Sequence, residues 1–484
     1  MAVPYDVVII GGGSGGLVVA SAASQLKGKV LLVEKAPRIG GDCLWYGCVP
    51  SKSLIHMAHQ IHTIRHAAQM GLINVPGAEK PAIDYLKVYN HIRGAQQFIA
   101  NHADSPERFR GYGVELVEGS GHFIDPHTFE VNGRQLRARS FVIATGSRAL
   151  IPNVPGLAEV GYLTNESVFD LQNLPASVAV VGGGPIGCEL GQALSRLGSQ
   201  VTIIAGSKAQ ILPKEDPEAA LIVQQQMQSE GIQILTQDRV IRARAERGKK
   251  VLELNSGKVL QVDEILIASG RIPNVEGLGL EQASVTFSSK GIDVNDKLQT
   301  TNSRIYACGD VIGGYQFTHV AAHEAVTVLT NTLFAPFSNV NYTVIPWATF
   351  TDPELARVGL TEAEARTQFG DQVVVLKTEM LHVDRAQAEG ATQGFCKIIC
   401  KTNGQILGAH LVGKSAGELI HEIVLAMNNK LPVSALTGIH VYPTLSEVSA
   451  KTALQFKKQK YAKNTFQQNF LKRFFALRRR WAKS

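Results

Sequence analysis

Two cysteines, Cys43 and Cys48, are the residues of this sequence best suited to redox chemistry. In a regular helix, residues five apart have Cα atoms roughly 8–9 Å apart, whereas a disulfide needs about 4.4–6.8 Å. The pair can therefore bridge only if the helix start is distorted, and the nearby Gly47 and Pro50 permit this. A strained, accessible disulfide is more oxidising and favours catalysis over cross-linking. The alternative is a pair of buried, inert cysteines.

The other four cysteines are predicted to be small core residues: Cys188, Cys308, Cys396 and Cys400. Cys396 and Cys400 lie in a predicted strand, on the same face and about 13 Å apart, which is too far for a disulfide or a shared metal. We therefore expect no structural metal site. Six cysteines in 484 residues also do not fit a disulfide-stapled secreted fold.

Two glycine-rich loops form an internal repeat, each between a predicted buried strand and a helix. They lie at residues 11–16 and 182–187, after apolar strands at 6–10 and 178–181. Such loops let the backbone approach a pyrophosphate, and the following helix N-terminus offers N–H groups. The predicted contact residues are Gly11, Gly13, Gly16, Gly182, Gly184 and Gly187. Two ordinary glycine turns are the alternative, which the matching downstream strands disfavour.

The residue that ends each second strand indicates which nucleotide is bound. Glu34 follows Gly16 by 18 residues, and a carboxylate there suits ribose hydroxyls. The equivalent residue of the second copy is Ala205, so no carboxylate would repel a 2′-phosphate. Lys208 lies nearby and Arg196 is on the preceding helix. These residues favour a 2′-phosphorylated dinucleotide in the second copy, although Ala205 is also compatible with both forms.

Further motifs bring a family resemblance. Residues 40–52 read GGDCLWYGCVPSK, residues 270–274 read GRIPN and residues 301–310 read TNSRIYACGD. With the glycine loops, these resemble the FAD-dependent pyridine nucleotide-disulfide oxidoreductases, such as glutathione reductase, dihydrolipoamide dehydrogenase and mercuric reductase. The resemblance covers residues 1 to about 455. It implies FAD in the first copy, NADPH or alternatively NADH in the second, and a homodimer.

The resemblance also implies roles for single residues. Cys43 is expected to be the interchange thiol and Cys48 the thiolate facing the flavin. Lys52 is expected near flavin N5, paired with Glu189, which would otherwise be a solvated helix residue. Asp310 is expected on the ribityl chain. Further implied cofactor contacts are Gly41, Thr145, Gly146, Gly270 and Arg271.

The implied fold is α/β, with two doubly wound dinucleotide-binding domains and a C-terminal α+β dimerisation domain. The expected boundaries are an FAD domain at 1–150 and 276–345, a nicotinamide-nucleotide domain at 151–275, an interface domain at 346–455 and a tail at 456–484. An inserted helical stretch at about 40–109 carries the two cysteines.

The chain departs from the family near its C-terminus. Disulfide-reducing members carry His-Pro-Thr followed by Glu, and this His, from the partner subunit, protonates the leaving thiol. Residues 440–447 read HVYPTLSE, so Tyr442 takes the histidine position, Glu447 is kept and His440 lies two residues earlier. Tyrosine, with a pKa near 10, is a poor proton shuttle at neutral pH. The departure argues against glutathione or dihydrolipoamide as substrate.

Mercuric reductases also lack this histidine, so we expect Hg(II) or another soft metal ion, held by Cys43 and Cys48, as acceptor. Those enzymes usually end in a vicinal cysteine pair, whereas this sequence has no cysteine after Cys400. A quinone or an unusual disulfide therefore stays open as the acceptor. A rival of another class is a membrane-recruited, redox-sensing flavoprotein with little turnover.

The positive charge is concentrated at the C-terminal end. The net charge is +7, and residues 456–484 hold ten Lys or Arg and no Asp or Glu, which leaves −3 for the rest. Apolar residues recur there at helical spacing: Phe466, Phe470, Phe474, Leu477 and Trp481. This pattern is typical of a helix lying on an anionic membrane, with a solvated tail or dimer packing as alternatives. We expect a cytoplasmic protein that binds no nucleic acid, with attachment to the inner membrane face left open as one alternative for the tail.

Overall fold

The computed structural model describes residues 3–482, which form two compact units. The first unit comprises Met1–Ala209 and Glu230–Asn341, and the second comprises Gln210–Ser229 and Tyr342–Ser484. The first unit holds both glycine loops and both redox cysteines, and the second holds the segment with Tyr442.

The strands of the first unit are β1 (Tyr5–Ile10), β2 (Val30–Glu34), β3 (Glu115–Glu118), β4 (Gly121–Asp125), β5 (Thr128–Val131), β6 (Arg134–Leu136), β7 (Ala138–Ile143), β8 (Ser147–Ala149), β9 (Ser177–Val181), β10 (Gln200–Ile204), β11 (Gln233–Leu235), β12 (Val240–Glu246), β13 (Lys249–Leu254), β14 (Val259–Val262), β15 (Glu264–Ile267), β16 (Arg271–Pro273), β17 (Phe287–Ser288), β18 (Gly291–Ile292) and β19 (Ile305–Ala307). The strands of the second unit are β20 (Pro346–Thr349), β21 (Glu354–Gly359), β22 (Val373–Glu379), β23 (Phe395–Lys401) and β24 (Ile406–Gly413).

The helices in chain order are α1 (Ser14–Gln25), α2 (Gly41–Trp45), α3 (Cys48–Gln69), α4 (Tyr85–Asn101), α5 (Pro106–Tyr112), α6 (Leu157–Val160), α7 (Pro185–Arg196), α8 (Pro217–Ser229), α9 (Thr318–Leu333), α10 (Glu362–Phe369), α11 (Asp384–Ala388), α12 (Ala416–Leu419), α13 (His421–Asn428), α14 (Glu447–Lys463) and α15 (Thr465–Trp481). Among residues 3–482, no helix combines the length and apolar character needed to cross a membrane.

The first glycine loop belongs to a five-stranded parallel sheet of order β19-β7-β1-β2-β3. Its central strands are apolar on both faces because both faces are covered. Val7 and Ile9 pack on the side of helices α1 and α9, whereas Val8 packs on the side of strands β4–β6, and all three are fully buried. Parallel strands end at the same edge. The loop after β1 therefore lies at the same edge as Thr145 after β7 and Asp310 after β19.

The second glycine loop belongs to a four-stranded parallel sheet of order β11-β10-β9-β15. The loop follows β9, and Ala205 follows the adjacent β10. The repeat of strand, glycine loop, helix and strand is thus present twice, as the sequence indicated.

The second unit is built on a five-stranded antiparallel sheet of order β20-β21-β24-β23-β22. Helix α14 packs against β22 and β23, and α8 packs against β21 and β24. Cys396 and Cys400 are buried free thiols in the core beneath α14. Two doubly wound sheets and one α+β sheet confirm the predicted fold class.

Candidate functional site

The two redox cysteines lie at a break between two helices. Cys43 is inside α2, Cys48 begins α3, and Tyr46 and Gly47 separate the helices. This is the kind of distortion that the spacing of the cysteines requires. Both are free thiols; Cys43 is half-buried and Cys48 is exposed. The pair is therefore present as a dithiol, with Cys48 accessible to a reactant.

The two thiols have opposite protonation tendencies because they share a hydrogen bond. The hydrogen bond from Cys43 lowers the pKa of Cys48 to about 6; partial burial opposes this, while Thr318 and the Lys52 ammonium add to it. The same hydrogen bond with Cys48, together with burial, raises the pKa of Cys43. At neutral pH, Cys48 is the thiolate and Cys43 is the thiol that donates to it.

Thr318 is a site residue that the sequence did not reveal. Its Oγ1 lies 3.4 Å from Cys48 Sγ, although the two residues are 270 positions apart in the chain. It begins α9, eight residues after Asp310, in the same sheet-edge region as the second FAD motif. Only that proximity to a recognised motif could have drawn attention to it.

Lys52 and Glu189 form the ion pair that the resemblance implies. Lys52 Nζ lies 2.7 Å from Glu189 Oε2, with the Lys52 side chain 36% exposed and the Glu189 side chain 8% exposed. Lys52 lies one turn into α3 and Glu189 lies on α7, and the two helices pack together. The positive end of the pair lies close enough to Cys48 to favour its thiolate.

The first glycine loop touches the helix that carries Cys43. A Cβ on Gly41, whose φ is +59°, would lie 2.6 Å from the Cα of Gly13, so only glycine permits this approach. A Cβ on Gly16 would lie 2.0 Å from the Gly11 carbonyl oxygen, which explains the third glycine of the motif. The phosphate loop and the redox motif are thus held together by backbone contact.

Glu34 is the last residue of β2 and lies at the same edge of the sheet as the first glycine loop. Its carboxylate accepts hydrogen bonds from Gly12 N at 2.6 Å and from Ala36 N at 2.8 Å. The side chain is half-buried, and further lone pairs of its oxygens remain for ribose hydroxyls.

Asp310 lies in a network with Ser147, Arg271 and Asp42. Ser147 Oγ donates to Asp310 Oδ2 at 2.5 Å, and Arg271 Nε donates to Ser147 Oγ at 2.7 Å. Arg271 also lies 3.3 Å from Asp42 and 3.6 Å from Asp310. Burial raises the pKa of Asp310, while the Ser147 hydrogen bond opposes that rise. Ser147 and Asp42 are further neighbours that the sequence did not indicate.

The connection between the two nucleotide sheets holds the remaining expected residues. Gly270 precedes β16, which pairs with β8 directly after Gly146. Thr145 Oγ1 donates to the Asn274 carbonyl at 2.8 Å, and Asn274 Nδ2 donates back to the Thr145 carbonyl at 2.9 Å. Thr145 and Gly146 are therefore held at the carboxyl end of β7.

These residues fit FAD. The first glycine loop, which is too tight for a Cβ at Gly11 or Gly16, leads into the N-terminus of α1 at Ser14. The N-cap residue, Gly13, has no side chain that could bond the first N–H groups of the helix. Such an arrangement suits a pyrophosphate. Glu34 is available for the adenosine ribose, Asp310 for the ribityl chain, and Lys52 lies beside the thiol that would face the flavin.

The second glycine loop repeats the geometry of the first. A Cβ on Gly187 would lie 2.0 Å from the Gly182 carbonyl oxygen, the same close approach as in the first loop. Gly184 precedes α7 as its N-cap. Ala205 is buried after β10, and Lys208 is exposed three residues later.

The suggestion that Arg196 could help to bind a 2′-phosphate is wrong. Arg196 is 5% exposed, and its guanidinium donates to Glu230 at 2.6 and 2.8 Å. It is held as a buried ion pair between α7 and the residue that follows α8, so its charge is already balanced. Lys208, the other cation expected near the 2′-phosphate, is exposed.

In the second unit, Tyr442 and His440 both have acidic neighbours. Tyr442 is 67% exposed and donates to Asp384 Oδ2 at 3.0 Å, and that bond raises its pKa. His440 Nε2 lies 3.1 Å from Glu422 Oε1. Burial disfavours the charged imidazole, but the Gly438 carbonyl and Glu422 outweigh burial and raise its pKa.

Glu447 begins α14 and accepts a long hydrogen bond from Thr444 N at 3.4 Å. Its negative charge also raises the pKa of His440 slightly. The structure therefore brings Cys43, Cys48, Lys52 and Glu189 together in the first unit, whereas Tyr442 lies in the loop before α14 of the second unit and Glu447 is the first residue of that helix.

Comparison with known proteins agrees with this geometry. The family described as pyridine nucleotide-disulphide oxidoreductase matches residues 5–325, and its dimerisation domain matches residues 345–453. The dimerisation domain supports the predicted homodimer, and the family uses the predicted FAD and NAD(P)H.

Similar proteins include mercuric reductases and dihydrolipoyl dehydrogenases. Mercuric reductase of Bacillus cereus is 36% identical over 465 residues, covering 94% of this chain and 72% of that protein. Dihydrolipoyl dehydrogenase of Geobacillus stearothermophilus is 34% identical over 465 residues, covering 93% of this chain and 96% of that protein.

Among solved structures, the Cu(II) complex of the HOCl-induced flavoprotein disulfide reductase RclA from Escherichia coli is similar, with a TM-score of 0.80 and 27% identity. The match covers 92% of this chain and 98% of that chain. The matched domains, the two glycine loops and the paired thiols lead to one conclusion: the chain belongs to the FAD-dependent pyridine nucleotide-disulphide oxidoreductases, in a group that includes mercuric-reductase-like relatives.

Proposed function

We propose that this enzyme transfers electrons from NADPH, through FAD and the Cys43–Cys48 pair, to a soft metal ion, with Hg(II) as the leading candidate. One observation carries the choice of acceptor. The position that holds the acid–base histidine in disulfide-reducing relatives holds Tyr442, whose hydroxyl is bonded to Asp384 and has a raised pKa. A thiol pair is therefore present without the proton donor that a disulfide substrate needs.

The protonation of the two thiols suits a metal acceptor. Cys48 is a thiolate at neutral pH, so it can bind a soft cation directly. Cys43 loses its proton when it becomes the second ligand, because a coordinating thiol is deprotonated by the metal. The hydride of NADPH carries two electrons, which is the number needed to convert Hg(II) to Hg(0). FAD, when bound, supplies the two-electron relay between nicotinamide and acceptor.

A disulfide acceptor makes a different demand. Reductive cleavage of a disulfide releases a thiolate leaving group, and a nearby acid speeds that release by protonating it. The Tyr442 phenol, already donating to a carboxylate, is a weak acid for this task. His440 is engaged with Glu422, whose hydrogen bond holds its Nε2. A metal ion leaves as a reduced atom and needs no such proton.

The supporting residues have separable roles in this proposal. The Lys52 ammonium and the Thr318 hydroxyl stabilise the Cys48 thiolate. Glu189 holds Lys52 in place. Asp310, linked to Ser147 and Arg271, is proposed to hold the ribityl chain, and the glycine loops to hold the two pyrophosphates.

The family assembles its active site across the homodimer. We therefore propose that Tyr442 and Glu447 act at Cys43 of the partner subunit. The relatives support both kinds of acceptor, because mercuric reductases and dihydrolipoyl dehydrogenases have nearly the same identity to this chain. Because a similar solved structure is a Cu(II) complex of RclA, Cu(II) is the second metal ion to test as an electron acceptor.

NADPH is proposed over NADH because Ala205 places no carboxylate at the ribose and Lys208 is exposed beside it. A Lys208→Ala variant should raise KM for NADPH several-fold and leave KM for NADH within about twofold. An equal effect on both nucleotides would contradict a role for Lys208 at the 2′-phosphate.

The test of the function is steady-state NADPH oxidation by the holoenzyme. Thiol-complexed Hg(II), Cu(II), oxidised glutathione, lipoamide and a soluble quinone are offered separately, beside a Cys43→Ser variant. Fast turnover with a metal, lost in the variant, supports the proposal. Turnover only with a disulfide or a quinone refutes it, and negligible turnover with all acceptors favours the redox-sensing alternative.

A further inference from the structure

The C-terminal helix α15 presents an exposed apolar stripe outside the matched family domains. The dimerisation-domain match ends at residue 453, whereas α15 spans Thr465–Trp481, about 25 Å of helix. The stripe comprises Phe466, Phe470, Phe474, Leu477 and Trp481, exposed by 82%, 59%, 42%, 47% and 69%. At about 100° per residue, these five side chains fall within an arc of about 80°. The family fold therefore does not account for this surface.

Contacts with the preceding helix use a different face of α15. Gln468 Nε2 donates to the carbonyls of Tyr461 and Ala462, at 2.8 and 2.9 Å. Gln468 and Leu471 are half-buried, and both lie outside the arc of the stripe. Asn464 caps the helix by accepting from Gln467 N at 2.9 Å. The helix is thus fixed to α14 by one face and exposes the aromatic stripe on another.

The charge of α15 has one sign. It carries five cations, Lys472, Arg473, Arg478, Arg479 and Arg480, and the chain has no Asp or Glu after Glu447. By helical position, Arg473 and Arg480 flank one side of the stripe and Arg478 flanks the other. Two such helices from two copies would repel each other, so the charge disfavours tail-to-tail pairing. The complementary partner is a surface that is both anionic and able to accept aromatic rings.

We propose that α15 docks this protein reversibly on the surface of an anionic lipid bilayer. Phe and Trp side chains of the stripe would enter the boundary between headgroups and acyl chains, while the flanking cations bind lipid phosphates. The combination matters because neither apolar insertion nor charge alone gives stable peripheral binding. This docking is independent of which acceptor the enzyme reduces.

The test is flotation of the full-length holoenzyme with vesicles of phosphatidylcholine alone or with one third phosphatidylglycerol. We expect at least tenfold tighter binding to the anionic vesicles at about 0.1 M salt, and a several-fold loss at about 0.5 M salt, because screening shortens the reach of the charges. Equal binding to both vesicles, or no binding to either, would overturn the proposal.

Two variants separate the apolar and the charged contributions. Phe466→Ser/Phe470→Ser/Phe474→Ser and Arg478→Gln/Arg479→Gln/Arg480→Gln should each weaken binding to anionic vesicles at least tenfold. Matched controls are Phe334→Ser/Phe337→Ser and Arg239→Gln/Arg242→Gln/Lys258→Gln, which change exposed residues of the first unit and should bind within twofold of the parent. Solution turnover of every variant should stay within twofold.

Other occupants of the stripe give different results. A shift from dimer to monomer in the phenylalanine variant, seen by sedimentation, would assign the stripe to a second copy of the chain. Tight RNA binding that depends on the arginines but not the phenylalanines would assign it to nucleic acid. Either result overturns membrane docking. If the triple variant misfolds, a blue shift of tryptophan emission on adding anionic vesicles, lost in Trp481→Phe, is the substitute test.

Discussion

The start of α3 in the first unit and residues 440–447 in the second unit both resemble motifs of the family. Only the start of α3 has every residue of its motif, whereas the second segment has Tyr442 in place of the histidine. At the start of α3, Cys48 has a thiol donor, a hydroxyl and an ammonium around it, and its pKa is about 6. In the second segment, Tyr442 takes the position of the family's proton-donating histidine. The imidazole of the nearby His440 is hydrogen-bonded to Glu422.

This difference separates two halves of one reaction. Accepting electrons requires the thiol pair and its electrostatic support, and those parts are retained. In the proposed function, delivering a proton to a leaving thiol would require an imidazole at the position of Tyr442, and that residue is the one replaced. We therefore expect that substitutions at the start of α3 affect every acceptor, whereas substitutions in the loop change only the choice between acceptors.

The largest expected effect comes from the thiols. Replacing Cys43 or Cys48 by Ser should lower turnover with any acceptor that uses the pair by about 1000-fold or more, because both sulfurs act as one unit. Steady-state NADPH oxidation measures this loss. Cys188→Ser, a buried cysteine of α7, is the matched control and should retain most of the activity per folded enzyme. Equal activity of the Cys48 variant would remove the pair from the reaction.

The next effect concerns Lys52. Lys52→Met should lower turnover by about tenfold to a hundredfold for all acceptors, since it removes the cation beside Cys48 and breaks the ion pair with the buried Glu189 carboxylate. Lys52→Met/Glu189→Gln should recover part of that loss, because the double variant no longer buries the negative charge that Lys52 balanced. A double variant that is worse than the single one would show that Glu189 acts independently of Lys52.

A smaller effect is expected at Thr318. Thr318→Val removes a hydrogen bond that lowers the pKa of Cys48, so the thiolate should form at a higher pH than in the parent, where the pKa is about 6. The rate of iodoacetamide alkylation of the reduced protein rises as pH rises through that pKa. We expect a several-fold lower rate at pH 6 for the variant and little difference at pH 9. Thr318→Ser keeps the hydroxyl and should match the parent; an unshifted Val profile would contradict the assigned hydrogen bond.

The residues of the site also differ in whether the sequence alone could predict them. Contiguous motifs predicted the glycine loops and both cysteines, because their spacing reflects local backbone geometry. The pairing of Lys52 with Glu189, which are 137 positions apart, was predicted only from the family resemblance. Thr318 and Ser147 were missed because they reach Cys48 and Asp310 only through the fold, across 270 and 163 residues. Arg196 was misjudged for the converse reason, since its buried partner Glu230 belongs to a later segment.

The fold class was predictable because a repeated strand and glycine loop permits few arrangements of parallel strands. Packing of α8 with the antiparallel sheet of the second unit was not predictable in this way. It depends on side chains such as Lys397 and Asp216, which pair at 2.9 Å and are each 4% exposed. A buried ion pair of this kind leaves no periodic pattern in the sequence.

The measurement that tests the central claim most directly is the ratio of disulfide to metal turnover in a Tyr442→His variant, with Tyr442→Phe as its matched control. If the loop lacks only a proton donor, histidine should raise turnover with oxidised glutathione or lipoamide by about tenfold or more and leave turnover with Hg(II) within about twofold. The Phe variant should change neither. An unchanged ratio in the His variant, or fast disulfide turnover by the parent, would contradict the account.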